Sequence, residues 1–126
     1  MITGLDLLFL EVNSLEDSLS FYRDLLGFEI ASHNPAAEPP IASVRAGSLR
    51  ITLVQQIETM LKRGRGVHFV IGVNDVDQFY EQLRQSSLVI SEPTDEGWGG
   101  RFCSLQDPDG YRLFFVTWND AGASEN

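Results

Sequence analysis

Two histidines, a single cysteine and a wide scatter of carboxylates are the groups in this chain with chemistry to offer. His68 lies within Val67-His68-Phe69-Val70-Ile71-Gly72-Val73, a strand-like apolar run. A histidine there can stay hydrogen-bonded as part of the scaffold, touch a ligand or move a proton, and all three roles remain open. His33 borders a proline-rich segment and reads as solvated. Glu16, Asp17, Asp24, Asp75, Asp77 and Glu81 fall on helix faces and read as solvated too. Glu11 differs, because it follows Phe9 on one side of a strand and can neutralise a cationic ligand group, Arg50 or Arg112. Trp98, in Gly97-Trp98-Gly99-Gly100, sits on a loop just before the strand of Phe102. Its indole can stack on an aromatic or cationic ligand, or plug the end of the sheet. That glycine run lacks the following helix that a phosphate loop needs, and no Ser-His-Asp arrangement can be assembled. No residue is therefore assigned a catalytic role.

Composition narrows the classes further. A chain of 126 residues is one domain with room for a core, and 43% hydrophobic with 21% charged residues is ordinary for a soluble globular protein. The formal charge of −9 opposes nucleic acid and permits cationic small molecules. Cys103 stands alone, which excludes an internal disulfide and a thiolate-rich zinc site. It alternates with Phe102 and Ser104 in a strand pattern and reads as a buried, inert thiol. No apolar run approaches the roughly 20 residues of a membrane span, and the N-terminus lacks signal-peptide flanks, so a cytoplasmic protein is expected.

The elements that must position these groups follow from periodicity. Leu5 to Val12 alternates as a strand. Ser14 is placed to cap a helix whose first turn holds Glu16 and Asp17, whose apolar stripe is Leu15, Leu19, Tyr22 and Leu26, and which Gly27 ends. Phe28 to Ser32 predicts a strand, and Asn34 to Pro40 a proline-rich loop able to act as a lid. Ile41 to Ala46 and Leu49 to Gln55 form a hairpin around Gly47-Ser48. Between 56 and 66 lies a linker in which Ile57, Met60 and Leu61 are spaced as on a short helix. Then strand Val67 to Val73, a helix from Asn74-Asp75 to about Gln85, strand Leu88 to Ser91, strand Arg101 to Leu105 and strand Tyr111 to Trp118 complete the chain, with a flexible tail at 119–126. The last two strands join through Asp107-Pro108-Asp109-Gly110, where proline sets φ, the aspartates bond nearby N–H groups and glycine takes a positive φ.

The order repeats, and so do letters. Val12-Asn13-Ser14-Leu15-Glu16 answers Val73-Asn74-Asp75-Val76-Asp77 at an offset of 61, and Ser48-Leu49-Arg50-Ile51 answers Gly110-Tyr111-Arg112-Leu113 at 62. Phe21-Tyr22 returns as Phe79-Tyr80. Two tandem strand–helix–three-strand modules, over about 4–55 and 67–118, fit the chain.

With these residues in this order, the chain resembles the vicinal-oxygen-chelate superfamily of glyoxalases, extradiol dioxygenases, fosfomycin resistance proteins and bleomycin resistance proteins. Its carriers are the run from Ser14 to Phe28, the central run from Val67 to Asp77, and the closing Asp107-Pro108-Asp109-Gly110 hairpin. The resemblance implies an α+β fold in which two βαβββ modules form a curved, partly closed mixed sheet around a ligand cup, helices outside, commonly as a homodimer. In the superfamily's enzymes a divalent metal sits in the cup, and matching the pattern puts its ligand positions at Leu7, Thr52, His68 and Phe114. Histidine alone is a good donor in that set, while a catalytic metal needs about three protein ligands. The expectation is no metal, no cofactor and a mostly oily cup. By strand alternation Phe9, Glu11 and Val116 share the cup side with those four positions, and Phe102 and Trp98 are added near its end. The function implied is that of bleomycin resistance proteins, binding an amphipathic aromatic or peptide antibiotic without chemistry. Two alternatives stay open, a metal-dependent or His68-dependent enzyme and a non-catalytic accessory domain.

Overall fold

In this computed structural model residues 1–56, 67–86, 88–97 and 99–119 are described. The linker residues Ile57, Met60 and Leu61, the loop residue Trp98 and the tail from 120 lie outside the described residues. The chain divides into two compact units, Met1–Arg63 and Gly64–Asn126. Each is a four-stranded mixed sheet with helix, so the fold is α+β. No helix among the described residues is long and apolar enough to cross a membrane.

In unit 1 the strands are β1 (Leu7–Val12), β2 (Glu29–Asn34), β3 (Ile41–Ala46) and β4 (Leu49–Gln55), ordered β1-β4-β3-β2, with β1 parallel to β4 and the rest antiparallel. The parallel pair needs a crossover, which the helical segment between β1 and β2 begins. Helix α1 (Leu15–Leu19) starts where Ser14 Oγ accepts the amide of Asp17 at 3.2 Å. The amide of Leu15 donates to Gln55 Oε1 on β4 at 2.9 Å, which ties the helix to the sheet. Leu10 and Val12 of β1 and Ile51 and Leu53 of β4 are buried, as are Leu15, Leu19, Phe21 and Tyr22.

Sequence periodicity predicts one α-helix from Ser14 to Leu26. Instead, α1 passes into a π-helical segment over Ser20–Leu25. Its wider turn appears where two neighbouring rings, Phe21 and Tyr22, are both buried and meet edge to face at 5.0 Å. Gly27 at φ +79° then reverses the chain, and Phe28 N–H donates back to Tyr22 O at 3.0 Å.

Unit 2 repeats the plan with β5 (His68–Gly72), α2 (Val76–Leu83), β6 (Thr94–Glu96), β7 (Gly100–Gln106) and β8 (Arg112–Trp118), ordered β5-β8-β7-β6, with β5 parallel to β8. Asp75 caps α2, accepting from Gln78 N at 3.1 Å. Val76 N–H donates to Thr117 Oγ1 at 2.8 Å, and that hydroxyl donates to Val73 O at 3.0 Å. Phe79 of α2 lies on Phe115 of β8 with centroids 4.4 Å apart. Arg101 on β7 reaches Asp77 with Nε and Nη2, both at 2.9 Å, and Asp95 with Nη1 at 3.3 Å. The guanidinium holds the Asp77 carboxyl below its ordinary range, mainly by hydrogen bonding.

Leu88 to Ser91, expected as a strand, is not one; the strand here is Thr94–Glu96, paired to β7. Among the described residues of that run, Ser91 bonds β7, through its amide to Ser104 O at 3.0 Å and through Oγ, which accepts from Ser104 N at 2.9 Å. A side chain thus takes the donor that a ladder would use, and Pro93 removes another. Thr94, Asp95 and Glu96 are all exposed, so no apolar alternation marks them.

The β7–β8 turn is built on Asp107. One buried carboxylate oxygen accepts from Asp109 N at 2.9 Å and Tyr111 N at 2.8 Å, Gly110 N donates to Asp107 O at 3.0 Å, and Gly110 stands at φ +89°. Asp107→Ala orphans two amides and should cost about 1–3 kcal/mol in denaturant unfolding. Asp107→Asn, which keeps an acceptor, should cost less. A loss under about 0.5 kcal/mol for the alanine variant would show that the turn does not need the carboxylate.

Candidate functional site

Among the described residues, each sheet has one face under the helix of its own unit and one without a helix. In β8 the helix side is Leu113, Phe115 and Thr117, as the Phe79 and Val76 contacts show, so Arg112, Phe114, Val116 and Trp118 face away from it. Register carries this parity across unit 2. His68 pairs with Arg112, Val70 with Phe114, Phe102 with Val116 and Ser104 with Phe114.

The helix-free face of unit 2 is an aromatic row. His68 stacks on Phe114 at 5.4 Å and 25°, Phe102 meets Phe114 edge to face at 6.1 Å, and Phe102 meets Trp118 edge to face at 5.9 Å. Such offsets suit the ring quadrupoles. His68 is exposed, Phe114 and Trp118 are half-buried, and Phe102 and Val116 are buried, so the row has an open end at the imidazole. Val70 beside it is 54% exposed. Gly100 makes the other end possible, since a Cβ there would lie 2.7 Å from Phe102 and 2.8 Å from Val116 Cγ2. Trp118 closes that end of the row against Phe102, and Trp98, expected nearby, lies outside the described residues.

The helix-free face of unit 1 has a different character. Leu7, Phe9 and Glu11 alternate along β1 and pair with Arg50, Thr52 and Val54 of β4. Phe9 is 65% exposed, a large apolar ring left in the open. Thr52 is buried and shares a 2.8 Å hydrogen bond with Ser43, its register partner on β3. Ser43 escapes sequence reading because nothing in Ile41 to Ala46 says which hydroxyl meets which; only the hairpin register does.

Leu7, Thr52, His68 and Phe114 are the positions that the resemblance assigns to a metal. Leu7 and Phe114 have no lone pair, the Thr52 hydroxyl is engaged by Ser43, and the His68 ring lies against Phe114. These residues do not fit a divalent ion. Among the described residues no group of three or more His, Cys, Asp or Glu side chains is gathered for one elsewhere.

Behind the row, on the helix side of β7, Cys103 is buried, and desolvation, with the Asp77 charge as a lesser cause, pushes its thiol from 9.0 up to about 11. It is an inert core group, as its alternation in the strand suggests.

A family model described as the Glyoxalase/Bleomycin resistance protein/Dioxygenase superfamily matches residues 4–115. A lactoylglutathione lyase of Salmonella typhimurium is 25% identical over 123 residues, covering 90% of this chain and 91% of that protein. One from Haemophilus influenzae is 26% identical over 117 residues, covering 85% and 87%. Among solved structures, TnmS3, an antibiotic binding protein from Streptomyces sp. CB03234, superposes with a TM-score of 0.79 at 22% identity, covering 94% of this chain and 98% of that one. A glyoxalase/bleomycin resistance protein/dioxygenase from Nocardioides gives 0.79 at 22% identity, covering 97% and 87%.

Two measurements check the row and what lies behind it. Gly100→Ala should cost about 1–3 kcal/mol by overpacking and shift the Trp118 emission in a Trp98→Phe background. Unchanged emission and stability would refute the close packing. Because folding raises the Cys103 pKa, the neutral thiol is favoured in the native state. Its contribution to stability should be complete below pH 9.0 and fall as pH rises toward about 11, and native thiol alkylation should be slow at pH 8.

Proposed function

The chain belongs to the glyoxalase/bleomycin resistance protein/dioxygenase superfamily, and from that premise we propose that it is a small-molecule binding protein that sequesters an amphipathic aromatic or peptide antibiotic without transforming it. The observation that carries this reading is the aromatic row His68–Phe114–Phe102–Trp118 on a helix-free sheet face. A planar ligand gains most from rings already held in place, because the ordering cost is met on folding. Phe114 belongs to that row at a position where the metal-dependent enzymes of the superfamily need a donor. On the same sheet, the exposed Val70 beside the row would supply apolar contact, with Trp98 a further stacking partner. The antibiotic-binding protein TnmS3, which shares this fold, lends the ligand class support. Self-association is part of the proposal, and light scattering that finds a monomer at working concentration removes it.

A second reading is an enzyme, favoured by the relatives named lactoylglutathione lyase. On this chain it would have to draw on His68, the one good donor at the assigned positions. Protein purified without chelators should hold far less than one transition metal per chain; stoichiometric nickel, zinc or iron that disappears in His68→Ala would favour the enzyme.

For the binding reading, planar aromatic antibiotics screened by tryptophan fluorescence should include one that quenches emission at one molecule per chain and is recovered chemically unchanged. His68→Ala and Phe114→Glu should each weaken it about tenfold or more, equivalent to roughly 1.4 kcal/mol. A screen with no quencher, or quenching that survives Trp98→Phe combined with Phe114→Glu, would remove the aromatic row from the proposal.

A further inference from the structure

The helix-free face of unit 1 carries a row in which two cations are neighbours. Across β1, β4, β3 and β2 the register partners are Leu7, Arg50, Arg45 and Glu29. Directly opposed residues on one face have Cβ atoms about 4.5–5.5 Å apart, and like charges placed so repel. Something negative between them would turn the repulsion into a clamp, and the described residues do not provide it. Arg50 Nε is buried and has no hydrogen-bond partner. Glu29 is the register neighbour on the far side of Arg45, yet no ion pair joins them among the described residues.

Unit 2 shows how the same row looks without this feature. There His68 pairs with Arg112, and Arg112 with Gln106, so the place corresponding to Arg45 holds an uncharged amide. The difference is confined to unit 1, in a chain whose 18 acidic residues outnumber 9 basic ones.

The geometry points to an oxyanion subsite formed by Arg45 and Arg50, which takes the carboxylate or phosphate group of a small molecule on the helix-free face of unit 1. Nε–H and one Nη–H of a guanidinium form a planar fork that matches two oxygens of such a group. Arg50 keeps its buried Nε–H without a partner on a half-buried side chain, so an oxyanion that reaches it completes the fork in surroundings that weaken a charged hydrogen bond less than water does. Arg45, exposed on the neighbouring strand, adds the second charge and a route in from solvent. The buried Ser43–Thr52 hydroxyl pair forms the next row on this face. The subsite does not depend on the aromatic row, which lies in the other unit.

The test is a titration of the full chain followed through the arginine Nε–Hε NMR signals, assigned with Arg45→Gln and Arg50→Gln. Sodium acetate and inorganic phosphate are the probes, acetamide is the neutral control, and sodium chloride holds ionic strength constant. The Arg50 signal should shift and saturate with acetate or phosphate and stay still with acetamide. The anion that saturates at lower concentration identifies the carboxylate or phosphate source. Arg45→Gln should weaken binding at least fivefold, and Arg50→Lys, which keeps the charge without the fork, by more than that. The subsite is overturned when neither anion saturates, when acetamide or chloride gives the same shift, or when both variants bind as the parent does. An intact Arg50 response in a Phe114→Glu variant that no longer binds an aromatic ligand would show that the two sites stand or fall separately.

Discussion

The first backbone N–H of each helix has its acceptor on the sheet, and the remaining architecture depends on that link. Leu15 donates to the Gln55 side chain at the end of β4, and Val76 donates to the Thr117 side chain near the end of β8. An N-terminal amide has no partner within its own helix, so a side chain that accepts from it sets both the start of the helix and its place on the strands. Once the helix is held there, strand parity is no longer free. Residues in phase with Gln55 and Thr117 form the core, and those one step out of phase form the open face.

That constraint is repeated, while the chemistry of the two open faces diverges. In unit 1 it holds an exposed Phe9, a buried hydroxyl pair and two opposed arginines. In unit 2 it holds four aromatic rings in contact, with Gly100 leaving the space that Phe102 and Val116 fill. The cores can stay alike because a helix–sheet interface asks only for apolar volume, which several residue types satisfy. The open faces are released from that demand and can specialise.

Much of this is visible in the letters. The Asp107-Pro108-Asp109-Gly110 turn, the caps at Ser14 and Asp75, and the offset of 61 between module starts mark the repeat, because turns and caps use few residue types for definite backbone reasons. The strand Thr94–Glu96 left no trace, since three exposed polar residues have no apolar rhythm and were selected by pairing to β7. The π-helical turn over Ser20–Leu25 was hidden for the opposite reason: its stripe of Leu15, Leu19 and Tyr22 satisfies ordinary helical spacing, and nothing in that spacing marks a wider turn.

The amino-acid order alone therefore determined the two-module plan, the alternation of the longer strands and the lack of a lone pair at Leu7 and Phe114, all of which follow from local backbone preference and the lone pairs a side chain possesses. Tertiary structure decided which side chains meet. That His68 lies on Phe114, that Ser43 faces Thr52, and that Arg45 stands opposite Arg50 are consequences of strand order and register. Those depend on pairings between residues far apart in the chain, and a slip of one position would have sent every one of these groups to the other face.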